Sequence, residues 1–142
     1  MNNREISEVW MADILSRLYD TWPQQVTMDI AATVDATKVA PEGQREILKV
    51  WSDLWRWLNA EGIVRMRPER GDTPQIHYAV LTAKGFEALK KSVPGTGESV
   101  GQKLGDLAKT AGKDVVMEGS KTAVAEVIGT FLASMLKSGL SL

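Results

Sequence analysis

The stretch QREILKVWSDLWRWLNAEGIVRMR, residues 44–67, decides how the chain is read. Turning 100° per residue from Ile47 places Leu48, Val50, Trp51, Leu54, Trp55, Trp57 and Leu58 within about half of a helix circumference. The other side gathers Arg45, Lys49, Ser52 and Arg56, flanked by Glu46 and Asp53. This pattern predicts a helix over 44–60 with a broad buried face and a narrow basic stripe. Glu61-Gly62 stops it, since glycine can take the left-handed cap conformation. Two extended segments follow, IVRMR at 63–67 and IHYAVL at 76–81. PERGDTPQ lies between them, and its Pro, Gly and Asp are turn formers. The pair reads as a two-stranded hairpin with a long tip.

Working toward the N-terminus, EISEVWMADILSRLYD (5–20) spaces Ile6, Trp10, Ile14 and Leu18 by four, one side of a helix that Trp22-Pro23 ends. VTMDIAATVD then suits a short second helix around Met28 to Val34. Residues 35–43, with Pro41 and Gly43, form a turn-rich connection. Beyond the hairpin, Thr82 can cap a helix AKGFEALKKS in which Phe86 and Leu89 point inward. Residues 93–97, containing Pro94-Gly95-Thr96-Gly97, read as a linker between a domain at 1–92 and a tail at 98–142.

The order helix, helix, helix, hairpin, helix over residues 5–92 resembles the winged-helix family, a helix-turn-helix variant. WRWLNAEGIVRMR looks like the end of that family's third helix entering the first wing strand. YAVLTAKGFEALKK resembles the second wing strand turning into the closing helix. The resemblance implies a mainly α fold with a two-stranded β-hairpin wing, and in DNA-binding members a third helix that enters the major groove. Carried onto this chain, the DNA-contact candidates are Gln44, Arg45, Lys49, Ser52 and Arg56 on the helix, with Arg65, Arg67 and Arg70 on the wing. Arginine and lysine suit phosphates and guanine edges, and glutamine can address adenine. Glu42 and Glu46 near the start of that helix depart from a groove-binding pattern, although acids there also oppose the positive helix end. Winged domains also serve as protein-binding modules, so the fold alone does not assign function.

Composition narrows the classes. The chain has 142 residues, 44% hydrophobic and 25% charged, with a net charge of −1, against the basic excess of a strong nonspecific polyanion binder. Cysteine is absent and histidine occurs once, at His77, so neither a thiolate site, a conventional nucleophile triad nor a zinc site assembles. No enzyme activity, metal or cofactor is expected. Arg4, Glu5 and Glu8 precede the first apolar positions, which is not a signal-peptide pattern, and the default location is the cytoplasm.

The tail holds six of the twelve glycines. Val100, Leu104, Leu107, Ala111 and Val115 fall on one apolar strip, with Gly101, Gly105, Ala108, Gly112 and Gly119 beside it. Glycine in a helix costs about 1 kcal/mol relative to alanine, so this helix implies a partner surface that close approach rewards. Farther on, Val124, Val127, Ile128, Phe131, Leu132, Met135 and Leu136 make a second apolar face, opposed by Glu126, Thr130 and Lys137; residues 98–117 and 121–137 read as one interrupted helix or two packed helices, with Gly119 the expected break. The strip AVAEVIGTFLASML is interrupted by Glu126 and too short to cross a membrane, and the scarcity of basic residues disfavours membrane-surface contact. The interface candidates are Trp22, Trp57, Gly101, Leu104, Gly105, Leu107, Ala108, Gly112, Val115, Ile128 and Phe131. The expected protein is a nonenzymatic DNA binder of the kind found among transcription regulators, self-associating through its C-terminal helices as a homo-oligomer. The alternative is a protein–protein adaptor or structural assembly subunit that binds no nucleic acid.

Overall fold

The structure, a computed structural model, describes residues 1–110 and 117–140. Helix α1 (Asn3–Thr21) opens with a reciprocal cap. The Asn2 side chain accepts from the Glu5 N–H at 2.9 Å, and the Glu5 carboxylate accepts from the Asn2 N–H at 3.0 Å. Its inward residues are not confined to one stripe: Ile6, Val9, Trp10, Met11, Ala12, Ile14, Leu15 and Leu18 are all buried. The reason is position, because α1 packs against every other helix.

Strand β1 (Val26–Asp29) and helix α2 (Ile30–Thr37) occupy the segment expected to be one short helix from Met28. Val26, Thr27 and Met28 are extended against a neighbouring strand. The Asp29 carboxylate then caps the helix by accepting from the Ala31 N–H at 2.8 Å, so helix geometry cannot begin before Ile30. Lys38, at φ 57°, closes α2.

Helix α3 spans Gln44–Ala60. Its end is the glycine turn read from the sequence: Gly62 has φ 74° and the Ile63 N–H reaches back to the Leu58 carbonyl at 3.0 Å. Strands β2 (Val64–Arg65) and β3 (Gln75–Leu81) follow. The sheet has three antiparallel strands in the order β1-β3-β2, rather than a free two-stranded hairpin. Helix α4 (Ala83–Lys90) starts on Thr82, whose hydroxyl accepts from the Gly85 N–H at 3.1 Å.

Residues 93–97 form a turn closed by Val93 N–H to Glu98 carbonyl at 2.8 Å and Val100 N–H to Lys91 carbonyl at 2.8 Å. Helices α5 (Val100–Thr110) and α6 (Met117–Leu140) complete the chain. Gly119 lies inside α6 rather than at a break. The molecule is mainly α-helical with one small sheet, and its helices share a single core. Trp10, Trp51 and Trp55 meet edge-on at 6.0 and 5.7 Å, and Leu104, Ala108, Val124 and Phe131 join the same cluster. No helix among the described residues is long and apolar enough to cross a membrane.

Candidate nucleic-acid interface

The polar face of α3 and the loop joining β2 to β3 are fastened to each other. Ser52 is only 3% exposed, and its hydroxyl oxygen accepts from the Thr73 N–H at 3.1 Å while the Thr73 carbonyl lies at 3.5 Å. One turn on, the Arg56 guanidinium donates to the Gly71 carbonyl and to Asp72 at 3.1 Å, and pairs with Asp53 at 3.0 Å. Ser52 is therefore a fastener for the loop and is not free to touch DNA, a correction to its place among the contact residues. A hydroxyl on a polar stripe looks the same in sequence whether water or a distant backbone meets it.

The basic candidates divide into two groups. Lys49 pairs with Asp53 at 3.1 Å, and that carboxylate, hydrogen-bonded to the ammonium, holds it above the usual lysine range. Arg67 pairs with Glu69 at 3.1 Å and sits over the Tyr78 ring at 5.9 Å. With Arg56, these three have acidic partners within the molecule. Arg45, Arg65 and Arg70 are exposed and form no ion pair among the described residues. Gln44 is exposed at the start of α3, where it borders a groove against α2.

The alternation of IHYAVL gives no sign that Tyr78 faces outward. Between Val26↔Ala79 and Met28↔Ile76, strand β3 carries one more residue than β1, a bulge that reverses which side chains face inward. Ile76, Ala79 and Leu81 are buried, and Tyr78, at φ 56°, is turned outward. Arg65 and Arg67 are likewise exposed on the facing chain segment, with Arg67 over the Tyr78 ring. His77 is half-buried, its Nδ1 3.3 Å from the Thr27 hydroxyl.

The interface candidates of the tail meet the chain's own helices. Gly101 lies so close to α1 that a Cβ there would stand 2.6 Å from the Tyr19 ring, and a Cβ at Gly105 would collide with the Ser16 hydroxyl. Leu104 and Ala108 are buried, Leu107 is half-buried against the core, and Ile128 and Phe131 are buried from α6. The Lys121 ammonium ties α6 to α1 through Glu5 at 3.0 Å. Gly112 and Val115 lie outside the described residues. Trp22 stacks on Phe86 at 4.0 Å and donates to the Leu81 carbonyl at 3.2 Å, yet stays 36% exposed, close to the 39% of Trp57.

No group of three or more acidic or histidine side chains that could hold a metal ion occurs among the described residues. No protein-family model, curated protein or solved structure matches the chain.

Proposed function

We propose that the chain is a nonenzymatic winged helix-turn-helix protein that binds double-stranded DNA, with α3 as the groove-entering helix and the β2–β3 hairpin as the wing. The observation that carries this reading is the fastening of the loop to α3 through Ser52–Thr73 and Arg56–Asp72. It makes helix and loop one preorganised surface, while the tail packs chiefly on α1, α2 and α4. Arg45 and Arg70 are the first groups available to phosphates or guanine edges, with Arg65 on the hairpin and Gln44 suited to adenine. Lys49, Arg56 and Arg67 would exchange an internal carboxylate for a phosphate, which lowers what each adds. Binding is accordingly expected to be modest in a single copy.

Fluorescence anisotropy with a mixed-sequence duplex at low ionic strength tests the reading. Salt-sensitive binding is expected, weakened about tenfold or more by the combined Arg45→Ala and Arg70→Ala substitutions. Absence of salt-sensitive binding by the folded protein would reject it.

A second reading, a protein adaptor, is favoured by one feature of its own. Between α2 and α3 runs a groove of 730 Å³ lined chiefly by Ile30, Val34, Ala40, Ile47 and Leu48. Apolar grooves of this kind accept side chains of a partner protein. A folded protein that ignores DNA would transfer the function to this groove.

A further inference from the structure

The most exposed large apolar side chains near the C-terminal end lie together. Leu136 is 69% exposed and Trp57 is 39% exposed, and both line a groove of 520 Å³ where the end of α3, the start of α4 and the last turns of α6 converge. Leu132 and Met135 extend its floor. Nothing in the fold requires Leu136 to be apolar, because its outward position on α6 would accept any good helix former. A tryptophan and a leucine left open to water beside a half-covered methionine are the composition of an interface centre.

The rim indicates which partner. Glu61, at the end of α3, and Lys84, in the first turn of α4, border the same groove, and neither forms an ion pair among the described residues. A surface with an apolar centre, one acid and one base is self-complementary about a two-fold axis that passes between the two charges. Glu61 of each copy then meets Lys84 of the other, and the two apolar strips pack together across the axis. A partner of uniform charge would leave one of the two rim groups facing like charge.

We infer that this surface is a two-fold interface with a second copy of the chain, centred on Trp57 and Leu136. It differs from the glycine-bordered strip of α5, which is occupied by α1, and it stands whether or not α3 and its loop bind DNA. The contact would use side chains of α3, α4 and α6, so it needs the folded chain rather than an isolated tail.

Sedimentation velocity on the full chain, over a wide concentration range, provides the test. The expected result is a dimer that Leu136→Glu converts to monomer with its far-ultraviolet circular dichroism unchanged, since that side chain is exposed. Glu61→Lys and Lys84→Glu are each expected to weaken dimerisation about tenfold, because each reversal places like charges together twice per dimer. The two reversals combined should restore affinity to near the original value. A monomer at every concentration, a dimer indifferent to Leu136→Glu, or a combined variant no tighter than either single reversal would each overturn the inference.

Discussion

Asp13 is 7% exposed on α1, with the Arg17 guanidinium 3.0 Å away. Burial pushes its carboxyl above the ordinary aspartate value, with the charge of Arg17 pulling the other way. A carboxyl raised on folding binds more proton in the folded state. Its contribution to stability therefore falls as pH rises through the window above the unfolded value, and returns as pH falls. The wild type should gain stability relative to Asp13→Asn between neutrality and about pH 4, read from urea midpoints at a series of pH values. A gap between the two proteins that stays constant with pH would contradict the assignment. Ser52 makes a second claim at this scale. Ser52→Ala strips the Thr73 N–H of its partner and should cost about 1 kcal/mol, measurable by the same denaturation. The sequence placed Ser52 correctly on α3 but showed nothing of Thr73. The sequence placed Asp53 at the edge of the basic stripe, three and four residues from Arg56 and Lys49, but not as the partner of both, and it showed nothing of the reach of Arg56 to Asp72.

Among the elements, α1, α3 and α4 were legible because each carries a local signal. The four-residue spacing of Ile6, Trp10, Ile14 and Leu18 marks α1, Gly62 terminates α3, and Thr82 starts α4. The start of α2 at Ile30 and the place of Gly119 inside α6 were not. Strand β1 was not legible, since four residues beside a helix can be read as its first turn until a partner strand is known. The bulge at Tyr78 was hidden for the same reason: alternation along IHYAVL gives no warning of an extra residue. The glycines of the tail show how packing decides the sign of one chemical change. Gly101→Ala sets a methyl against Tyr19 and should destabilise the protein despite alanine's better helix propensity. Gly129→Ala adds a methyl where nothing lies within 4 Å, and should stabilise it by up to about 1 kcal/mol. Thermal midpoints of the two variants should move in opposite directions. A shift in the same direction would mean that α5 does not approach α1 closely.

For the molecule as a whole, the tail completes the core rather than hanging from a finished domain. Its amphipathic pattern announced that it covers something, but no pattern in α5 could name α1 of the same chain as the surface. Val100, Leu104, Ala108, Val124, Ile128 and Phe131 are buried in the cluster that contains Trp10, Trp51 and Trp55. Truncation after Pro94 should therefore leave a front portion with lost cooperativity in urea, and Phe131→Ala alone should cost about 3–5 kcal/mol. A truncated chain as stable as the full one would contradict that architecture. At the same scale, the proposed function has α3 and its fastened loop presenting cations that the fold leaves uncommitted, so the salt dependence of duplex binding addresses it most directly. Log affinity plotted against log salt concentration should be linear, and its slope should fall in magnitude by about 1 for Arg45→Ala. A slope unchanged by that substitution, or no binding at the lowest salt, would contradict DNA recognition by α3 and its fastened loop.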